Sequence, residues 1–308
     1  MAAISAEAIQ SRSKAVWLKP WLKRETWFAW LFILPSMVGF VLFYAVPAVR
    51  GVFISFTDWD LLTPAEPVGL ANYQKLIADI DFWKSLWVTL NYVVINIFIQ
   101  TVLAILIAVL MDRLTKSIFV RGVLILPYLF SNVVVALLWL WMLDPTLGIV
   151  NGFLEFIGIG RQPFLGAPSQ AIASVAGINI WRHMGYTALL VFAGLQTIPK
   201  DVYEAGAIDG ASEWRMFWNI TLPLLRPVLV FVLVTTIIGS FQVFDTIAIT
   251  TKGGPAQATR VIIWYIYEFA FDRFNMGYAT TISIALFFIL ILVTIVQMRV
   301  LRAGESDL

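Results

Sequence analysis

Asn179, Arg182, His183 and Tyr186 recur at i, i+3, i+4 and i+7 inside an otherwise apolar stretch, so a helix there sets all four on one face. A second polar set, Thr236, Gly239, Ser240 and Gln242, runs along the next apolar stretch and leads into Asp245. Polar groups in such surroundings are expensive and face either one another or a wet path. The chemistry open to these residue types is reversible hydrogen bonding. A guanidinium donates paired bonds to neighbouring hydroxyls or to an anionic group, and Gly239 permits close approach. The competing reading is structural: Arg182 snorkels or pairs with Asp245, and His183 is a neutral hydrogen-bonding group between helices. Tyr186 and Phe241 are secondary candidates for stacking on a ring face. Asn91, Asn96 and Gln100, with Ser131 and Asn132, are expected to join helices. Trp139, Trp141 and Trp181 are expected to anchor at an interface.

No motif for bond-making chemistry accompanies these residues. The chain has no Gly-x-x-x-x-Gly-Lys-Ser/Thr run and no His-Glu-x-x-His, so neither nucleotide hydrolysis nor zinc proteolysis is expected of it. It has no Cys, which removes disulfides, thiol catalysis and Cys-ligated metals. The expectation is a chain that is not an enzyme and holds no metal or cofactor of its own.

The most organised polar segment is 200–223. Glu204 sits among the small residues Ala205, Gly206 and Ala207, and Asp209-Gly210-Ala211 follows. Small neighbours let Glu204 be pressed against another protein without steric clash. Pro199 closes the preceding apolar stretch, Pro223 and Pro227 open the next, and Gly210 suits a left-handed turn. Two short helices joined by a tight turn are expected. By spacing alone, an ordinary helical hairpin accounts for the segment equally well.

The elements that position these groups follow from composition. Of 308 residues, 60% are hydrophobic and 13% charged, against about a quarter charged in a soluble domain. Six stretches approach the roughly 20 residues that cross a bilayer core: 27–49, 86–111, 122–143, 172–196, 227–244 and 278–298. They must be helices, since lipid-exposed backbone has to satisfy its own hydrogen bonds. The fold class is thus an all-α polytopic membrane protein with six transmembrane helices. Thirteen of the 21 Lys and Arg residues fall on one side if both termini are cytoplasmic, which puts 200–223 inside the cell as well. The expected organisation is a tail or interfacial helix at 1–26 with Trp17 and Trp21, a six-helix transmembrane domain at 27–300, and a short tail at 301–308. The polar leader and the long first span argue against a removable signal peptide. The stretch 261–267 is too short to span and is expected to lie across the outer surface.

The run Glu204-Ala205-Gly206-x-x-x-Gly210, then nine residues, then Ile220-x-Leu222-Pro223, resembles the Glu-Ala-Ala loop in membrane subunits of binding-protein-dependent ATP-binding-cassette importers. Gly206 stands where a second Ala is usual. Leu126-Pro127-Tyr128, Asp144-Pro145 with Gly148, Gly253-Gly254-Pro255, Tyr267 with Phe271, Gly277-Tyr278-Ala279 and Phe56-Thr57-Asp58 with Gly69 and Asn72-Tyr73 extend the likeness to carbohydrate-importer permeases over about residues 30–300. The Gly-Gly-Pro segment is closest to the maltose-type first permease subunit or its glycerol-3-phosphate counterpart.

The resemblance implies a type I importer architecture in a bacterial or archaeal inner membrane. It implies a second homologous permease, an external solute-binding protein and two ATPase subunits that bind ATP and magnesium. It makes Glu204, Ala205, Gly206, Asp209, Gly210 and Ala211 the contact with the ATPase. It places Asn179, Arg182, His183, Tyr186, Thr236, Gly239, Ser240 and Gln242 along the path of a sugar-like substrate, with Arg182 and His183 departing from the neutral residues expected there. The partners are lipid and protein, not nucleic acid. The alternative class is a stand-alone ion-coupled transporter or channel, which calls for carboxylates buried within spans and broken helices repeated in two halves.

Overall fold

The structure is a computed structural model that describes residues 24–115 and 117–301. The expected interfacial segment around Trp17 and Trp21, and nearly all of the C-terminal tail, lie outside the described residues. The chain divides into two units, Met1–Ile54 and Ser55–Leu308.

In the first unit, α1 (Arg24–Phe40) passes through a π turn (Val41–Ala45) into α2 (Val46–Ile54). Trp27–Ile54 is 28 residues long with mean hydropathy 2.1, and none of its most apolar stretch is buried within the structure. A helix of that length spans about 42 Å, ample for a ~30 Å hydrocarbon layer.

The second unit opens with a ribbon of two-residue strands, β1 (Thr57–Asp58) antiparallel to β2 (Glu66–Pro67), with Thr57 opposite Pro67. The fold is therefore helical apart from this ribbon, a small correction to the all-α expectation. Asn72, on α3 (Ala71–Ala78), fastens the ribbon by donating to the Ser55 and Thr57 carbonyls at 3.1 and 2.9 Å.

α4 (Ile80–Leu114) is an unbroken rod of 35 residues that starts a turn and a half before the expected span. Asp79 makes that early start possible. Its carboxylate accepts the Asp81 and Phe82 N–H groups and also the Tyr265 and Tyr278 hydroxyls, both at 2.5 Å. Burial opposes ionisation there, but these donors outweigh it and hold the Asp79 carboxyl below its usual range.

The expected third span is not one helix. α5 (Ile118–Leu129) and α6 (Asn132–Met142) meet at 92°. Pro127 withholds an N–H from the helical ladder, and Phe130 and Ser131 adopt extended backbone with ψ of 150° and 141°. After α7 (Ile149–Phe156) comes α8 (Pro168–Leu195), begun by a proline in its first turn. The hairpin α9 (Lys200–Ile208) and α10 (Glu213–Met216) leads through a π turn (Phe217–Thr221) and α11 (Leu222–Leu224) to α12 (Arg226–Phe241) and α13 (Asp245–Thr250). α14 (Ile262–Tyr267) and a π turn (Glu268–Asp272) precede α15 (Met276–Val300). Ile262, Trp264 and Tyr265 of α14 are buried, so this helix packs into the core rather than lying across a surface.

Among the described residues, four helices are long and apolar enough to cross a membrane, or five if α5 and α6 form one bent span. α8 has the length but is interrupted by Asn179, Arg182 and His183. It meets that cost by being enclosed, with α4 packed along its length and α5 and α12 against it. Gly185 is needed for this closeness, since a Cβ there would lie 1.8 Å from the Leu124 carbonyl oxygen of α5.

Among the described residues, three apolar clusters form the core, the smallest around Val135, Leu143 and Ile178, and the two larger ones flank the site. One gathers Tyr92, Val93, Ile180, Phe241, Ile247 and Ile282, and the other Ala104, Ala108, Ala188, Val191, Leu225 and Val232. Asn96 and Gln100 on α4, His183 and Thr187 on α8, and Thr236 on α12 fall between one cluster and the other. The sequence thereby builds a polar layer sandwiched by two apolar ones.

Candidate functional site

In the polar layer, α4, α8 and α12 with the starts of α6 and α13 enclose a cavity of about 280 Å³. Asn179, His183 and Tyr186 line it from α8, and Thr236, Gly239, Ser240 and Gln242 from α12 and its end. Of the eight residues expected along a path, seven therefore meet at one cavity. The eighth, Arg182, is not among its lining residues.

Arg182 is held elsewhere. Its Nη2 donates to the carbonyls of Tyr128 and Phe130 at 3.2 and 3.0 Å, its Nε to Phe130 at 3.3 Å, and its Nη1 contacts His183 Nε2 at 2.9 Å. The guanidinium thus caps the end of α5 where the broken span leaves carbonyls without a following turn. Its hydrogen bonds go to the nearer acceptors at the Phe130 break, while Asp245, the ion-pair partner the sequence suggested, acts on it through charge alone. Asp245 instead accepts from Asn132 Nδ2 at 2.6 Å, joining the starts of α13 and α6.

His183 Nδ1 lies 2.8 Å from the Asn179 carbonyl. An arginine N–H can only donate, so Nε2 accepts and the proton sits on Nδ1. The imidazole is neutral as expected, although its bonds run within α8 rather than between helices.

Asn96 Nδ2 donates to Ser240 Oγ at 2.9 Å and to Gln100 Oε1 at 3.2 Å, while Gln100 Nε2 donates to Thr187 Oγ1 at 2.8 Å. These two side chains do join α4 to α12 and α8. Asn91 does not, bonding only one turn back on its own helix. Tyr186 stacks on Tyr128 with ring centroids 4.3 Å apart, and both rings line the cavity. Phe241, the other stacking candidate, is 1% exposed in the core and cannot reach a solute. Trp139 and Trp181 pack edge to face on one another at 5.5 Å instead of anchoring separately, whereas Trp141 is exposed. Sequence reasoning missed Tyr92, Thr187 and Thr246 as lining residues. Tyr92, at i−4 from Asn96, and Thr187, at i+4 from His183, carried the helical spacing that would have found them, whereas Thr246, on the short α13, did not.

At the hairpin, Gly210 adopts φ +73°, the left-handed turn its position suggested. Glu204, Ala205, Asp209 and Gly210 are exposed, while Gly206 and Ala211 are half-buried. A Cβ at Gly206 would lie 2.9 Å from Ile220 Cδ1, so glycine here serves packing of the hairpin's two arms. Tyr203 and Thr221 hydroxyls meet across those arms at 3.0 Å. The second arm adds an exposed apolar patch of Trp214 and Trp218, edge to face at 5.6 Å, with Ile208 87% exposed nearby. The hairpin is tethered to the end of α4 by an Arg113–Glu213 ion pair at 2.5 Å, and beside it Gln196 donates to Asp112 at 2.6 Å.

Comparisons with known proteins agree on one family. Residues 100–304 match the family described as binding-protein-dependent transport system inner membrane component. The chain is 35% identical to the probable ABC transporter permease protein YurN of Bacillus subtilis, over 90% of this chain and 97% of that one. It is 33% identical to the trehalose/maltose transport system permease protein MalF of Thermococcus litoralis, over 91% and 95%. It is 34% identical to the sn-glycerol-3-phosphate transport system permease protein UgpA of Agrobacterium fabrum, over 88% and 93%. In fold it is similar to a chain of a bacterial ABC transporter involved in import of the acidic polysaccharide alginate. That likeness has a TM-score of 0.79 at 24% identity and covers 92% of this chain and 98% of that one. The relatives are permease subunits, which are transport components rather than enzymes. The chain belongs to the family of inner-membrane permease subunits of binding-protein-dependent, ATP-binding-cassette transport systems.

Proposed function

We propose that this chain forms half of the translocation path of an ATP-driven importer for a sugar or sugar derivative. It works beside a second permease, two ATPase subunits that bind ATP and magnesium, and an extracytoplasmic solute-binding protein. In this reading six helices cross the membrane with both termini cytoplasmic, residues 27–300 are the permease domain, and 1–26 and 301–308 are tails.

One observation carries the reading. The hairpin at 200–223 joins α8 to α12, and both helices wall the same cavity. Any force on Glu204, Ala205, Gly206, Asp209, Gly210 and Ala211 therefore reaches two walls at once. ATP-driven closure of the ATPase pair would supply that force, and rigid-body rotation of the helices would open the cavity to alternate sides. Asn179, His183, Tyr186, Thr236, Gly239, Ser240 and Gln242 would face the solute in transit. The exposed Trp214 and Trp218 would widen the contact with the ATPase.

A stand-alone ion-coupled transporter would use a broken span and a cavity carboxylate such as Asp245. Among the described residues, however, the bent pair α5–α6 has no second counterpart. The test compares proteoliposomes holding this chain alone with others holding it together with its partners, and measures sugar uptake with and without ATP. Uptake should require both ATPase and ATP, and a Cys placed at Ser212 should be labelled only from the cytoplasmic side. Flux through the chain alone, or labelling from outside, would overturn the reading.

A further inference from the structure

We propose that the groove between the start of α4 and the turn at 256–258 holds a phospholipid, with its phosphate at Ser85 and Lys84 and its chains running along α4 beside Trp87. This goes beyond the transport reading and does not depend on which solute is carried. The groove measures about 610 Å³, and Trp83, Lys84, Ser85 and Trp87 line it from α4. Ala256, Gln257 and Ala258 form the opposite wall. That wall is preformed. Ala256 and Gln257 take left-handed backbone, at φ 48° and 63°. The buried Thr259 hydroxyl holds them there, meeting the Gly254 carbonyl at 2.6 Å and the Thr251 hydroxyl at 2.7 Å. Just beyond, the Ile262 N–H donates to Thr89 Oγ1 at 2.8 Å and pins the turn to α4.

The groove stands at the level of lipid head groups. Asp112 and Arg113 end the apolar run of α4 at its far end. Counting back from Met111, about 21 residues of a slightly tilted helix cross the hydrocarbon layer, and about five more cross the head groups. That brings Leu86 to Leu90 to head-group depth, with Ser85 and Lys84 at its rim. Trp83 and Trp87, 52% and 65% exposed at i and i+4, take the place of an interfacial aromatic belt.

The polar groups of the groove suit a phosphate. Ser85 is 1% exposed, and its hydroxyl has no hydrogen-bond partner within the protein. A buried donor left unmet is costly, and a phosphate oxygen entering the groove accepts from it. Lys84 supplies the charge. Its only ion-pair contact is a loose one, 3.7 Å from Asp81 with both side chains well exposed. The second cation, Arg260, is answered behind the groove by Glu268 at 2.8 Å and by Asp81 at 3.4 Å. Lys84, Arg260, Asp81 and Glu268 sum to zero charge. The site therefore recognises a phosphodiester locally and takes zwitterionic and anionic phospholipids alike. The apolar walls exclude a small hydrophilic solute by the same token, since Trp87 and Val88 give it nothing to bond.

The test strips lipid from the assembled transporter in maltoside detergent. Scanning fluorimetry then follows the addition of phosphatidylethanolamine, phosphatidylglycerol or inorganic phosphate. The comparison is with a Ser85→Ala, Lys84→Gln double variant. Ser85 has no bond to lose and Lys84 is exposed, so the lipid-free Tm should be the same in both. Should the double variant prove less stable, Lys84→Gln alone gives the same comparison. Either lipid should raise the Tm of the parent on the order of 2–4 °C, and that of the variant less than half as much. Inorganic phosphate should shift neither. Cryo-electron microscopy in nanodiscs of the two lipids should show a forked density in the groove with its head at Ser85. An equal lipid shift in parent and variant overturns the proposal, as does a shift reproduced by inorganic phosphate. A groove that is empty, or filled by sugar or by a partner chain, overturns it too. Neither readout involves uptake, so failure here leaves the transport reading standing.

Discussion

Replacing Arg182 by Met removes a cap while keeping a long apolar side chain of helical propensity. In the structure the guanidinium makes three bonds to the Tyr128 and Phe130 carbonyls, at 3.0, 3.2 and 3.3 Å. Bonds to charged groups contribute about 1.5–3 kcal/mol each in water-soluble folds, and interhelical bonds in membranes average about 0.6 kcal/mol. Three bonds, at least one of them replaceable by water from the adjoining cavity, give a loss of roughly 2–4 kcal/mol. For a chain of this size that corresponds to a fall in apparent Tm on the order of 3–6 °C. Arg182→Lys should fall between, because an ammonium offers a single point of attachment where the guanidinium forks across two carbonyls. The assay is thermal inactivation of the purified transporter, run beside the KM for sugar uptake. A shifted Tm with KM nearly unchanged is the expected pattern. An unaltered Tm with a raised KM would refute the capping argument and return Arg182 to the solute.

Glu204→Lys should leave insertion and thermal stability within error but cut sugar-stimulated ATP turnover at least tenfold, read on the detergent-purified complex. Gly206→Val should separate the hairpin arms at Ile220, costing about 1–3 kcal/mol of local stability by overpacking, visible as faster proteolysis between 200 and 223. The Asp79 carboxyl is held below its ordinary range, so the sign is that of a depressed acid. Its contribution is full above the unfolded value near 3.8 and fades as pH falls through the lower folded value. A Tyr265→Phe, Tyr278→Phe double variant should therefore show less acid-dependent loss of Tm below about pH 4 than the parent, measured by scanning fluorimetry. Arg260 is 5% exposed between Glu268 and Asp81, so Arg260→Met should leave the Glu268 charge with only the Trp264 indole N–H and lower stability by about 2–4 kcal/mol, checked by thermal denaturation.

Much of the site was legible because helical spacing is a strong signal. Asn179, His183 and Tyr186 share a face by arithmetic, and that face does line the cavity. The hairpin was legible for another reason: Pro199, Gly210 and Pro223 fix where helices can start and stop. The destination of Arg182 was not legible, since it depends on a 92° break whose place follows from backbone angles at Phe130 and Ser131. Pro127 announced a disturbance but not its size. The burial of α14 was missed because six apolar residues look the same whether they rest on a surface or fill a core. Likewise, the early start of α4 depends on Tyr265 and Tyr278 reaching back to Asp79, contacts nearly two hundred residues away in sequence.

α4 is continuous enough to relay a displacement along its length. Its 35 residues extend about 52 Å. Asp112 and Arg113 sit at one end beside the hairpin, and Asn96 and Gln100 face the solute cavity some 20 Å up the shaft. With no proline or π turn between those points, the rod has no joint in which to lose a displacement. A tug on Glu213 would be felt at Asn96 as the same tug, which makes α4 a third handle on the cavity alongside the two helices that the hairpin joins directly.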